Sequence, residues 1–246
     1  MSADRELMLR EMGLGPVWKL RAKPAALPPD ELAAPPSAAV SLPQPPPSTP
    51  VLAGVTPPAA MNWEELATTV AACRQCRLCE ARKQAVLGVG ERNADWLFVG
   101  EGPGAEEDLR GEPFVGQAGK LLDNMLAAIG LRRGEDVYIA NAVKCRPPEN
   151  RTPTPEEIAT CRPYLERQIE LIQPKLIVAL GRPAAQTLLQ SEVKIAAARG
   201  RLHDYRGIPL IVSYHPAYLL RTLQDKARAW EDLCLMRRTM NELKGN

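Results

Sequence analysis

The chain has 246 residues, 45% of them hydrophobic, and a formal net charge of only +2. That is enough apolar content for a sizeable core and far too little net charge for a polycation, so any affinity for nucleic acid has to come from local patches. Met1 to Arg10 is charged throughout and no apolar run approaches the roughly 18 residues of a membrane span, which reads as a soluble cytoplasmic protein without a membrane partner.

In chain order, residues 3 to 12 fit one short helix with Leu7, Met8 and Met12 apolar, a length that is marginal alone. Residues 1–23 are therefore expected to be a tail, at most a docking peptide for a protein partner. Residues 24 to 58 hold twelve of the 24 prolines and almost no charge apart from Asp30 and Glu31. Such a stretch buries too little apolar surface to offset its ordering entropy, so 24–60 is expected to be a linker and 61–246 the catalytic domain.

The domain opens at Asn62, an N-cap with Glu65 three residues on, and Trp63, Leu66, Val70 and Cys73 share one helical face. Four apolar runs read as buried strands: Trp96 to Val99, Val137 to Val143, Leu176 to Leu180 and Leu210 to Ser213. They alternate with helices. Gln117 to Ile129 presents Leu121, Leu122, Met125, Leu126 and Ile129, and Gly130 ends it. Thr154, Pro155 and Glu157 form a capping box ahead of Ile158, Cys161, Leu165, Ile169 and Ile172, with Pro163 predicted to kink or divide the helix. The last helix, about 225 to 243, is predicted to turn Trp230, Leu233 and Cys234 inward. This alternation implies a three-layer α/β/α sandwich around a mostly parallel, four-stranded central sheet.

Cys73 and Cys76 are separated by two residues, and Cys145 and Cys161 by fifteen. In a reducing compartment this pattern fits one metal centre better than disulfides, and spacing alone does not separate zinc from iron–sulfur. Ligands in open α/β sheets bind beyond the carboxyl ends of strands. After the first strand stands Gly100-Glu101-Gly102-Pro103-Gly104-Ala105-Glu106-Glu107-Asp108. It lacks the Lys-Ser/Thr of a phosphate loop and is acidic, so it is either a tight connection or a site for a neutral ligand and a carboxylate-activated water. Phe114 follows in a Gly-rich setting. Asn141 lies in an otherwise apolar run, where it either bonds neighbouring backbone or reads a base edge. Of the two histidines, His203 is placed in a polar turn, whereas His215 stands directly after the last strand with Pro216 fixing its exit.

Taken in order, Cys-x2-Cys, Gly-Glu-Gly-Pro-Gly-x-Glu-Glu-Asp, Pro-Phe-Val-Gly, Asn-x-Val-Lys-Cys-Arg-Pro-Pro, the fourth cysteine and His-Pro-Ala-Tyr-Leu-Leu-Arg resemble the family 4 uracil-DNA glycosylases over roughly Trp63 to Leu243. The resemblance implies a uracil-DNA glycosylase-like fold and one [4Fe-4S] cluster on Cys73, Cys76, Cys145 and Cys161, with Cys79 and Cys234 spare. It implies a monofunctional enzyme that removes uracil from single- or double-stranded DNA as a monomer and leaves an abasic site for base excision repair. Uracil would be bound by Glu101, Gly102, Pro103, Phe114, Asn141 and His215, with Phe114 stacking, Asn141 reading the Watson–Crick edge and His215 bonding the developing anion at O2. Glu101 is the first candidate for handling water and Glu107 the second, because Gly102 stands where the best-known uracil glycosylases carry an aspartate. Tyr218, Leu219 and Leu220 would fill the vacated space in the duplex, with Arg221 near the backbone, and Arg146, together with Lys144, Arg151 and Arg162, would face phosphates.

Two other readings stay in view. A related branch couples covalently to DNA through a histidine in a basic insertion, but Arg146 to Thr160 contains no histidine and no insertion. A non-catalytic four-cysteine DNA-binding module would explain the metal and the patches, though not Glu101, Asn141 and His215 at strand ends.

Overall fold

The computed structural model describes residues 58–245; the expected tail and most of the linker lie outside the described residues. In chain order the elements are α1 (Trp63–Ala72), α2 (Leu78–Ala81), β1 (Val89–Gly90), β2 (Trp96–Gly100), α3 (Ala105–Arg110), α4 (Gln117–Ala128), β3 (Val137–Asn141), α5 (Pro155–Ile172), β4 (Leu176–Leu180), α6 (Arg182–Leu189), α7 (Ile195–Ala198), β5 (Leu202–Tyr205), β6 (Ile208–Ser213), α8 (Pro216–Arg221) and α9 (Lys226–Lys244). The sheet has six strands in the order β1-β3-β2-β4-β6-β5 rather than four. The four expected strands are its parallel centre, and the two additions are antiparallel edges. These edges carry little apolar signal: β1 is two residues long, and the largely exposed Leu-His-Asp-Tyr of β5 puts His203 on a strand, not in a turn.

Strand periodicity sorts the core into two layers. Trp96, Phe98, Val137, Ile139, Val178 and Ile211 pack beneath α4 and α9 with Leu122, Met125, Leu126, Leu233 and Met236. Leu97, Val99, Tyr138, Ala140, Ile177 and Val212 face the other way, against Leu165 and Ile169 of α5 and Ala184, Ala185 and Leu188 of α6. Every residue of β2, β3 and β4 is buried, as a parallel sheet covered on both faces requires.

Helix starts follow the local chemistry. Asn62 Oδ1 accepts from Glu65 N–H and Glu65 Oε2 from Asn62 N–H, both at 2.9 Å, while Thr154 and Glu157 make the same reciprocal pair at α5. Two expectations need correction. Pro163 does not divide α5, which runs unbroken to Ile172; the carbonyl its ring deprives of a partner belongs to exposed Ala159, where water can bond it. Trp230 is 46% exposed rather than inward, since the buried stripe of α9 runs through Ala229, Leu233, Met236 and Met240.

Candidate active site

The chain reverses its direction of winding at β2, with β3 on one side and β4 on the other, and a cleft of about 960 Å³ opens beyond the carboxyl ends of the parallel strands. Glu101, Gly102 and Pro103 after β2, Asn141 ending β3, Gly181 and Arg182 after β4, and Tyr214 and His215 after β6 line it, together with Phe114, Glu107, Tyr218 and Arg221. The expected site residues are thus brought together, except for Leu219, Leu220 and Arg146, which do not line this cleft.

Asn141 is 2% exposed, and its Oδ1 has no hydrogen-bond partner among the described residues. An orphaned buried acceptor is costly, and here it borders a cleft a ligand can enter. A Cβ built on Gly100 would collide with Asn141 Oδ1 and lie 2.6 Å from Phe114 Cζ, so the glycine is what lets ring and amide approach each other. The Phe114 ring centroid lies 5.4 Å from that of His215, with 30° between the planes.

Phe114 adopts φ +55°, a left-handed conformation that a bulky residue keeps only when its surroundings impose it. Arg133 imposes it: its Nη1 donates to Pro113 O and its Nη2 to Phe114 O, each at 2.8 Å, while Asp123 holds the guanidinium from the helix side. Glu107 adds to this brace. Its Oε1 accepts from the N–H groups of Val115 and Gly116, and its Oε2 from Gly104 N–H at 3.0 Å. A carboxylate whose two oxygens are already engaged by three backbone donors fastens two loops, and that bracing geometry argues against Glu107 as the alternative base.

His215 caps α8, its Nδ1 accepting from Ala217 N–H at 3.1 Å. That bond fixes the tautomer: in the neutral ring Nε2 carries the hydrogen. Burial first and the Arg221 charge second push the imidazole pKa down to about 4, with Glu107 opposing both. The ring is neutral at pH 7, a hydrogen-bond donor and not a cation. Burial raises the Glu101 carboxyl, against the opposing pull of Thr152 and Arg182.

Around the cleft several expectations change. Leu219 is 1% exposed and packs in the core between α4 and α9, so it cannot fill a gap in a duplex; Leu220, 42% exposed, is the free leucine. Tyr218 stacks on Tyr214 at 5.2 Å and donates its hydroxyl to Asp225 at 2.6 Å. Lys144 is 1% exposed and faces no phosphate, while Arg151 pairs with Glu157 and Arg162 with Glu166. Arg146 donates to Asn150 Oδ1 at 2.8 Å, and through that asparagine it reaches the cleft wall. Sequence reasoning missed Arg182, which the strand-end rule could have found directly after β4, and Arg133, for which a pair of arginines behind a helix gave no signal.

The four expected ligand cysteines come from three segments, the stretch after α1 (Cys73 and Cys76), the loop after β3 (Cys145) and α5 (Cys161), and meet in a third apolar cluster with Met61, Leu66, Val70, Val143 and Tyr164. Three sulfurs receive donors: Cys145 from Arg82 Nη1 at 2.7 Å, Cys161 from Lys144 N–H at 3.2 Å, and Cys73 from the Tyr164 hydroxyl at 3.6 Å. Burial pushes the Cys161 thiol up to about 12, so ionising that thiol requires positive charge delivered to its sulfur. Among the described residues no group of three or more His, Cys, Asp or Glu side chains converges on a single ion. The donor set is all sulfur, with hydrogen-bond donors on three of the four, which fits a soft polynuclear group. No helix among the described residues is long and apolar enough to cross a membrane.

Residues 87–234 match the uracil DNA glycosylase superfamily. The chain is 48% identical over 167 residues to a type-4 uracil-DNA glycosylase of Archaeoglobus fulgidus, an alignment spanning 65% of this chain and 83% of that protein. It is 47% identical over 167 residues to the type-4 uracil-DNA glycosylase of Thermotoga maritima, covering 67% and 86% of the two chains. With that of Pyrobaculum aerophilum it shares 41% identity over 184 residues, covering 71% and 93%.

Proposed function

The chain belongs to the uracil DNA glycosylase superfamily and within it to the type-4 uracil-DNA glycosylases, and from that premise we propose that it hydrolyses the N-glycosidic bond of uracil in DNA and leaves an abasic site for base excision repair. The observation that carries this reading is the meeting beside one cleft of Asn141 Oδ1, unpartnered among the described residues, at the end of β3, a neutral His215 after β6, and the Phe114 ring from the connection between α3 and α4. A uracil drawn out of the stack, at a cost of a few kcal/mol, would lie on Phe114, give its N3–H to Asn141 Oδ1 and take the amide N–H at O4.

As the bond between N1 and C1′ breaks, its electron pair leaves with the base and charge gathers at O2, where His215 Nε2–H donates. Water adds to C1′ and gives its proton to Glu101, while the uracil anion is protonated by solvent. Donors aimed at developing charge of this kind are commonly worth about 3 kcal/mol. Tyr218, Leu220 and Arg221 would meet the DNA beside the cleft mouth, with Leu220 taking the wedging part first expected of Leu219.

Cys73, Cys76, Cys145 and Cys161 would hold a [4Fe-4S] cluster. Bound there, it would tie α1 and α5 to the loop after β3 and take no part in base chemistry. We further propose that the protein acts as a monomer in the cytoplasm and that residues 1–23 serve as a docking segment for a protein partner.

The test is incubation with a uracil-containing oligonucleotide, single- and double-stranded. Free uracil should appear, and the strand should break only after alkali treatment. No release of uracil would overturn the reading; breakage without alkali would overturn its monofunctional part.

A further inference from the structure

One buried charged side chain has no task in this scheme. The Lys144 ammonium lies inside the protein between the end of β3 and α5, donating to the Asn141 backbone carbonyl at 2.8 Å and to Gln168 Oε1 at 2.5 Å. Gln168 is itself fully buried, and its Nε2 donates to Leu87 O at 3.0 Å and to the Tyr138 hydroxyl at 3.2 Å, so the acceptor is held from behind. The Lys144 peptide is fastened as well: its N–H points at Cys161 Sγ and its carbonyl accepts from Val86 N–H at 2.7 Å. A lysine buried this completely costs a great deal in desolvation, and none of its hydrogen-bond partners is a carboxylate.

Its effect falls on Asn141. Parallel pairing with β2 ends at the register Gly100–Asn141, and the following N–H groups of Ala142 and Val143 bond Gly100 O and Glu101 O at 2.9 and 3.1 Å. The Asn141 carbonyl at that frayed end is buried out of reach of water, and the Lys144 ammonium is the donor that meets it. The same residue carries the orphaned Oδ1 into the cleft. We propose that Lys144 is a positioning residue for base selection: by pinning the Asn141 peptide it holds the amide where only a pyrimidine presenting a donor at N3 and an acceptor at O4 completes it. This rests on the assignment of Asn141 to uracil and deepens it.

Lys144→Met keeps the length and apolar stem and removes the donors. Gln168→Leu serves as the control, since it breaks the same buried chain but leaves the bond from Lys144 to Asn141 in place. Each variant is compared with wild type for inhibition by free uracil, KM and kcat on a uracil oligonucleotide, excision of cytosine, visible absorption and melting temperature. Lys144→Met is expected to retain its colour, to bind free uracil on the order of tenfold more weakly, to raise KM more than it lowers kcat, and to begin releasing cytosine. Gln168→Leu is expected to melt lower with uracil inhibition and selectivity unchanged. Wild-type inhibition and selectivity in Lys144→Met, or the same loss of selectivity in both variants, would overturn the assignment in favour of a purely structural lysine. Should Lys144→Met not fold, Lys144→Gln, which keeps an amide donor, decides: inhibition between wild type and tenfold weaker supports the assignment, and full wild-type inhibition at a lowered melting temperature overturns it. Failure of the wild-type protein to release uracil would instead strike the glycosylase reading, and this assignment with it.

Discussion

The cleft and the cysteine cluster begin four residues apart, at Asn141 and Cys145, yet they treat polar atoms in opposite ways. In the cleft Asn141 Oδ1 has no partner, and the His215 ring is bonded only through Nδ1 among the described residues. In the cluster Cys73, Cys145 and Cys161 are each met by a donor, and Arg82 also ties Ala71 O and Cys73 O at 2.8 and 2.9 Å. The difference is the one expected if the cleft takes a ligand that visits and the cysteines take one that stays. Groups reserved for a visitor are left unsatisfied at a cost in stability, whereas a resident ligand is built in and its surroundings are closed around it.

The strongest way to break this contrast is at the resident side. Cys145→Ala is expected to abolish colour, iron content and folding together, because the free energy of binding a structural metal group is folding free energy; a colourless variant with wild-type melting temperature and activity would remove the cluster from the account. On the visitor side the largest effect is expected from His215→Gln, with kcat on uracil oligonucleotides lower by about 10² to 10³ in single-turnover assays. The same variant sharpens the point through pH. A histidine with a folded pKa near 4 against an ordinary 6.5 binds fewer protons folded than unfolded, so its contribution is complete above about pH 6.5 and is lost as pH falls through 4. Urea melts of wild type should therefore lose stability over that window, and those of His215→Gln should be flatter.

A smaller effect is expected at Asn141→Asp, which replaces the amide donor by a second acceptor. Uracil excision should fall and cytosine excision appear, both read from released base; a variant still blind to cytosine would detach Asn141 from base reading. The smallest is Arg221→Gln at the cleft mouth, where the plot of log affinity for DNA against log salt should lose about 0.9 of slope if one phosphate contact is removed. An unchanged slope would place the backbone contacts elsewhere.

Legibility follows burial. The four parallel strands are apolar runs because both faces are covered, and a rule about strand ends then leads from them to Asn141 and His215 without further information. The edge strands escape the same reading, since Leu202-His203-Asp204-Tyr205 lies open to solvent and has no reason to be apolar. Lys144 was misplaced for a more instructive reason. A lysine followed by Arg146 and Arg151 reads as surface charge, and it is the partners supplied by Gln168, 24 residues away, and by the Asn141 carbonyl that make burial feasible. Leu219 and Leu220 are identical in sequence terms, and a helix one turn and a half long sends one into the core and the other into water. The Arg133 brace is equally invisible, because its acceptors at Pro113 and Phe114 are backbone carbonyls, which have no letter of their own.

The bond from Ala217 N–H to His215 Nδ1 has a chemical corollary. An imidazole held by a fixed donor on one nitrogen cannot relay a proton from that side to the other, so in the proposed reaction His215 would offer Nε2–H only as a hydrogen bond, the base would leave as an anion, and its own acidity would set the pace. Pyrimidines carrying an electron-withdrawing substituent should therefore leave faster than uracil in proportion to how readily they ionise, a Brønsted relationship dictated by one main-chain hydrogen bond at the start of a six-residue helix.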